Sequence, residues 1–439
     1  MKRCLRNVGL VSTEDRISHL PEALILHILS LPTTKDVVAT SVLSKQWRSL
    51  WKTVPSLYFD HYSDESEQET FSEIVCRLLL YHKAPFLETL HINFRLDGCD
   101  AMDIGMWTGI AYAHHLRKLS LNVESKTESF KFPRSLYNCE TLETLILGAW
   151  ILVDVPSQAC LKSLKTLHLY SVDYKDMASV RNLLSGCPNL EELVVFRDQP
   201  DVEIFSIAAP SLKRLTIQDE NDWKEFGGYA IDAPSLEYLN IEGFKALEFC
   251  LFENEPKLVE ANIANVSKII EENILGSLIS VIRLSLDLSP LEITFPTGSF
   301  FYRLVYLELR AHKAEWWNLL VLMLNASPKL QVLKLIGVSI TSPHAQCFYR
   351  FSDLMYIVYL SLIGLQQYWS QVGKGNGVSS GKWSQPENVP ECLLLHLETF
   401  VWKAYKQRLK QEKEVAKYIL RKRWRNTSFE ESEFLHKSI

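Results

Sequence analysis

From Leu20 to Trp51 the chain sets short apolar runs between prolines, reading "LPEALILHILSLPTTKDVVATSVLSKQWRSLW". Pro21 suits the first turn of a helix, where its missing N–H costs nothing. Leu24, Ile25, Ile28, Leu29 and Leu31 then recur along one helical face and its flank, and Pro32 stops the run. Thr33 and Asp36 stand at capping-box-like spacing before a second helix through Val37, Val38, Val42 and Leu43. Ser44 can cap a third helix carrying Trp47, Leu50 and Trp51, which Pro55 closes. Three such short helices hold more apolar surface than they can bury among themselves. The surplus either packs on the rest of the chain or docks a partner.

After the acidic stretch "DHYSDESEQE" the period changes, and Leu-x-x-Leu-x-Leu or a close variant recurs. It starts at Leu87, Leu116, Leu142, Leu164, Leu190, Leu212, Leu236, Leu258, Val281, Leu304 and Leu330. These starts lie roughly 22 to 29 residues apart, the period of leucine-rich repeats. Several share a lead-in with proline two residues before the first leucine ("CPNL", "APSL", "EPKL", "SPKL"), and proline cannot continue a helix. Helical segments such as "DMASVRNLLSG" and "AEWWNLLVLMLNA" precede some of them. Each unit therefore reads as a strand followed by a loop or helix. No unit buries its apolar face alone, and stacking makes one continuous core.

In this pattern the fourth and sixth residues point inward, and the third, fifth and seventh point out onto a concave surface. That aligns Glu192, Val194 and Phe196 with Arg214, Thr216 and Gln218, then with Tyr238, Asn240 and Glu242, and further on with Tyr306, Glu308 and Arg310. Mixed aromatic and charged residues suit recognition of a protein. Phe196, Arg214, Gln218, Tyr238, Glu242, Tyr306 and Arg310 are the candidate cargo-binding residues.

The opening string resembles an F-box, the module that docks F-box proteins onto the Skp1 adaptor of SCF ubiquitin ligases. Leu20-Pro21, Leu24, Ile28-Leu29, Leu31-Pro32, Asp36, Val37, Val42, Ser44, Trp47-Arg48 and Leu50 follow the family pattern in order. The resemblance implies a Skp1-facing set of Leu20, Pro21, Leu24, Ile28, Leu29, Pro32, Val42, Trp47 and Leu50. The irregular repeats resemble those of plant F-box proteins. "QPENVPECLLLHLETF" and the helix after it resemble the FBD region that follows such repeats. Read from the residues alone, this stretch is one further strand and helix capping the solenoid.

The expected architecture is an α/β repeat solenoid of leucine-rich repeats with a small all-α module at its start and an FBD-like cap. The expected boundaries are 14–60 for the F-box, 61–86 for a linker and the start of the solenoid, and 87–342 for the repeats. An atypical insertion follows at 343–382, then the FBD-like region at 383–425 and a tail at 426–439. After about Arg423 the family pattern would continue through another strand, so the cap is expected to be truncated.

Composition adds exclusions. The net charge is −5, which builds in no attraction to nucleic acid or to an anionic membrane. The nine cysteines include no C-x-x-C pair and suit a reducing compartment, hence an intracellular protein of cytoplasm or nucleus. "LMYIVYLSLIGL" falls short of the ~20 residues that span a bilayer. "GKGNGVSSGK" fails the phosphate-loop spacing and reads as a flexible linker. His114-His115 lack ligand-spaced cysteines, and "RKRWR" fits a basic helix face or a nuclear address. No catalytic constellation, metal site or cofactor site is evident, so no cofactor is expected.

The resemblance implies a non-catalytic substrate-recognition subunit of an SCF-type ligase, with a Skp1-like adaptor, through it a cullin, and a protein cargo. An interaction scaffold without ligase function is the alternative. A variant product is a third reading, suggested by the insertion and the altered C-terminus.

Overall fold

A computed structural model describes residues 20–43, 47–61, 70–96, 101–125, 129–198, 202–219, 227–244, 249–253, 257–266, 274–288, 301–311, 316–337, 383–403 and 410–423. The chain forms two compact units, residues 1–213 and 214–439.

The first unit opens on three helices, α1 (Glu22–Leu29), α2 (Thr34–Ala39) and α3 (Trp47–Leu50). Thr33 caps α2: its Oγ1 accepts from Asp36 N at 3.3 Å and donates to the Asp36 carboxylate at 2.8 Å. Ile25, Leu29, Val37, Trp47, Leu50 and Val54 close into one small core, with Leu20, Leu26 and Trp51 packed against it. Each such burial stabilises by roughly 1.5–3 kcal/mol. The chain then runs directly into a strand, Ser56–Asp60, and Tyr58 N donates to the buried Thr34 Oγ1 at 2.7 Å. The helical cluster is thus stitched to the sheet.

That strand starts a parallel sheet that continues through Thr89–Arg95, Lys118–Glu124, Thr144–Leu147, Thr166–Tyr170 and Glu192–Arg197, each paired with the next. The repeat leucines pave its inner side: Leu90, Leu119, Leu145, Leu167 and Leu193 are fully buried. The sheet begins one strand earlier than the first repeat at Leu87. Residues 71–81, within the stretch expected as a linker and the start of the solenoid, form helix α4 (Phe71–Tyr81). Thr70 and Glu73 form a reciprocal capping box there, with bonds of 3.3 and 3.0 Å. Helix α5 (Ala101–Ala113) packs on α4. Its buried Trp107 donates an indole N–H to Cys76 Sγ at 3.0 Å and takes the rings of Phe71 and Phe94 edge-on. Asp176 caps α6 (Met177–Ser185), accepting from Ser179 N at 2.7 Å.

A second, smaller parallel sheet joins Phe130–Lys131, Ile151–Val153 and Asp173–Tyr174. Just past its middle strand the Asp154 carboxylate collects three cations, Lys131 at 2.5 Å and Arg134 and Lys175 at 3.0 Å each. Their hydrogen bonds hold its pKa well below the usual carboxylate range.

The second unit repeats the plan. Arg214–Asp219, Tyr238–Glu242, Glu260–Ala264, Arg283–Asp287, Tyr306–Arg310, Val332–Ile336 and Thr399–Lys403 pair in that order, all parallel. Gly228–Asp232 and Phe249–Glu253 pair beside it. The proline lead-ins prove to be tight turns: in the first unit Leu190 N donates to Cys187 O and Leu212 N to Ala209 O, and here Leu236 N donates to Ala233 O and Leu330 N to Ser327 O. Proline occupies the second turn position each time, where its fixed φ is already correct. Helix α7 (Trp316–Ala326) precedes the last of these turns. After Thr399–Lys403, helix α9 (Lys410–Arg423) buries Val415, Tyr418 and Ile419 and packs on the short α8 (Glu391–Leu395). Ser44, the tract 343–382 and the tail 426–439 lie outside the described residues. No helix among the described residues is long and apolar enough to cross a membrane.

Candidate protein-binding surfaces

The helical cluster divides its apolar residues into two sets. Leu29, Trp47 and Leu50 are buried in its own core, and Leu20 is half-buried against that core. Pro21, Leu24, Ile28, Pro32 and Val42 are exposed. Leu31 and Leu43, absent from the candidate set, are exposed at 76% and 64%, and Val42 at 85%. The inward positions of α1 are Ile25 and Leu29, one turn apart; Leu24 and Ile28 repeat the spacing one residue earlier and so face solvent. Leu31 and Leu43 sit beyond helix ends, where helical periodicity gives no guide to direction.

On the sheet, alternation places most of the outward residues as expected. In the first unit Tyr58 stacks on His91 with ring centroids 4.1 Å apart, and an amide ladder runs from Asn122 Nδ2 to Asn93 Oδ1 (3.1 Å) and from Asn93 Nδ2 to Asp60 (3.4 Å). Burial is the main cause raising the Glu124 pKa, with Asp60 adding to it. Phe196 departs from expectation. Both it and Val194 are buried, because the strand Glu192–Arg197 is covered on both faces beyond Glu192.

In the second unit three outward rows cross the strands in register. The first runs Arg214, Tyr238, Glu260, Arg283, Tyr306. Arg214 lies over the Tyr238 ring at 4.1 Å and Arg283 over the Tyr306 ring at 4.4 Å, so one stacked Arg–Tyr pair recurs three strands on. Such pairs are worth about 0.5–1 kcal/mol when exposed. The second row runs Thr216, Asn240, Asn262, Ser285, Glu308, Lys334. Lys334 Nζ and Tyr306 Oη both donate to Glu308 Oε2, at 2.7 and 3.0 Å. Burial first, and Glu308 second, raise the Tyr306 pKa; for Lys334 burial is the largest single influence and opposes the charge, but the bond to Glu308, its charge and Tyr306 together outweigh it and raise that pKa. The third row carries Gln218, Glu242, Asp287 and Arg310, with Arg310 Nε 3.7 Å from Asp287 and Asn265 Nδ2 3.5 Å from Glu242. Arg214, Gln218, Tyr238, Glu242, Tyr306 and Arg310 thus share one polar, aromatic face of the second unit.

Among the described residues no group of three His, Cys, Asp or Glu side chains is placed to hold a metal. His114 and His115 are accounted for as local packing: His114 Nδ1 lies 3.2 Å from Ala84 O, and His115 takes a positive φ at the end of α5.

Comparison with known proteins matches the same three regions. Residues 17–59 match the F-box domain, residues 104–252 the leucine-rich repeats of the FBD-associated F-box protein At5g56370, and residues 385–422 the FBD region. The F-box/FBD/LRR-repeat protein At3g52680 of Arabidopsis thaliana is 53% identical over 94% of this chain and 84% of its own length. The F-box/FBD/LRR-repeat protein At4g00160 of the same plant is 51% identical over 94% of this chain and 85% of its own. The F-box/LRR-repeat protein At3g26922, also of Arabidopsis thaliana, is 64% identical over 68% of this chain and 98% of its own.

Proposed function

Since the chain belongs to the F-box/FBD/LRR-repeat protein family, we propose that it is the substrate receptor of an SCF-type ubiquitin ligase. The observation that carries this reading is the apolar patch left outside a completed core. Leu24, Ile28, Leu31, Val42 and Leu43 stay exposed although the cluster has closed around Ile25 and Trp47. An apolar surface kept out of its own core fits an adaptor interface. In this reading Skp1 covers that patch, and Leu29, Trp47 and Leu50 act by holding the patch in shape rather than by touching the adaptor.

The outward strand residues then hold a protein cargo, with the stacked pairs Arg214–Tyr238 and Arg283–Tyr306 as pre-organised anchors. The chain performs no bond chemistry. It raises the effective concentration of a cargo lysine near a charged E2 carried by the other subunits.

The test is a pull-down of the purified chain with Skp1, beside two variants, Leu20→Ala with Pro21→Ala and Leu24→Asp with Ile28→Asp. The parent binds, both variants lose most binding, and circular dichroism stays unchanged. A well-folded parent that does not bind Skp1 would falsify the receptor reading. Binding to Skp1 without recruitment of a cullin would favour the interaction scaffold instead.

A further inference from the structure

Helix α9 carries six Lys and Arg against two Glu. Its apolar stripe of Val415, Tyr418 and Ile419 is buried. The stripe beside it is not spent on packing: Lys417, Arg421 and Lys422, with Glu414 one turn before, wall a groove of about 440 Å³. Trp383 and Gln385 line the same groove, and the Trp383 ring meets Tyr418 edge-on at 5.8 Å. Among the described residues no carboxylate lies within ion-pair distance of Lys417, Arg421 or Lys422. The helix macrodipole favours cations in the last turn, which accounts for the sign of charge at Arg421 and Lys422. It does not account for a tryptophan lining the same open groove.

We propose that this groove binds an acidic peptide segment of a partner protein in extended form. The charge is complementary: three cations against one carboxylate leave the wall at about +2. The spacing is complementary as well. Lys417 and Arg421 are four residues apart on a helix, about 6 Å along its axis. Acidic residues at alternate positions of an extended chain repeat at about 7 Å on one side. A strand laid along α9 therefore brings two successive carboxylates to Lys417 and Arg421. An apolar residue of the same peptide covers the Trp383 ring. The site is independent of the adaptor patch and of the outward strand residues.

The experiment is fluorescence anisotropy of the full chain with a fluorescein-labelled peptide, Gly-Ser-Glu-Phe-Glu-Ser-Glu-Gly. The control probes are the same peptide with Gln for each Glu and a labelled oligodeoxythymidylate of eight nucleotides. Saturable binding of the acidic peptide is expected, weakening as salt rises. The Gln peptide loses at least tenfold. Lys417→Glu with Arg421→Glu abolishes binding, Lys417→Gln with Arg421→Gln weakens it about tenfold, and Trp383→Ala weakens it severalfold. Circular dichroism and thermal midpoint match the parent, because the replaced cations are at the surface. Absence of saturable binding, binding that the charge variants leave unchanged, or preference for the oligonucleotide overturns the proposal.

Discussion

The ring of His82 lies under the helical cluster with Nε2 2.8 Å from the carbonyl oxygen of Val54, a residue of the cluster's own core. The carbonyl accepts, so Nε2 carries the proton and Nδ1 is bare, and no hydrogen-bond partner meets Nδ1 among the described residues. Burial lowers the His82 pKa; the Val54 bond opposes this, and nearby His114 adds to it. The unfolded chain therefore binds a proton more readily than the native one as pH falls through the ordinary histidine range near 6.5. Stability is full above that range and is lost below it. Urea midpoints between pH 8 and pH 5 are expected to fall, and His82→Gln, which keeps a donor to Val54, flattens the slope. His82→Phe leaves the carbonyl unpaired and costs about 1–3 kcal/mol at every pH.

The two sets of apolar residues in the helical cluster separate stability from binding. Leu50→Ala removes a buried leucine and is expected to destabilise by about 2–5 kcal/mol. Leu24→Ala changes a side chain that is 51% exposed, so stability moves by less than about 0.5 kcal/mol. Denaturation midpoints for the two variants, set beside their adaptor affinities, check this. If Leu50→Ala is as stable as Leu24→Ala, the division into core and surface is wrong.

Asp154 draws its three cations from separate turns of the small sheet, so removing its charge frees all of them at once. Those cations are half-exposed or more, which limits the loss for Asp154→Asn to about 1–2 kcal/mol. The carboxyl is held below the usual range, so its contribution is present above the ordinary aspartate pKa near 3.9 and is lost in stronger acid. The deficit of Asp154→Asn against the parent is expected to be constant from pH 8 to pH 5 and to shrink below pH 4. An acid titration of both proteins by circular dichroism measures it.

Gly243 adopts φ +85°, and a Cβ there would collide with the backbone carbonyl oxygen of Asp219. Backbone conformation and space both exclude a side chain. Gly243→Ala is expected to cost about 2–4 kcal/mol, and to loosen the stack of Phe244 on Tyr229, whose centroids lie 4.6 Å apart. Thermal unfolding gives the first quantity. A loss under about 0.5 kcal/mol would mean the strand end relaxes freely.

Much of the fold is legible in the chain because the repeat leucines obey two constraints together, a period near 24 and alternation within each strand. Leu215, Leu239, Leu307 and Leu333 are all buried where that pattern puts them. Helix α5 was not legible, because "AMDIGMWTGIAYA" is apolar on every side and carries two glycines. The capping box at Thr70 and Glu73 was readable but stood in a stretch dominated by acidic residues. Asp154 could not have been found from sequence, since Lys131, Arg134 and Lys175 meet it from repeat turns that no local pattern links. The burial of Phe196 likewise depends on what covers its strand, which a two-residue period cannot encode.

Val332–Ile336 and Thr399–Lys403 are adjacent rungs of one sheet although more than sixty positions separate them in the chain. Whatever leaves the first rung returns to its next-door neighbour, so ladder register carries no record of how much chain lies between. Closing a longer detour costs only about 0.6 kcal/mol per doubling of its length. The pairing of these two rungs therefore sets almost no limit on the length of chain that joins them, and an insertion or deletion there leaves the ladder itself unchanged.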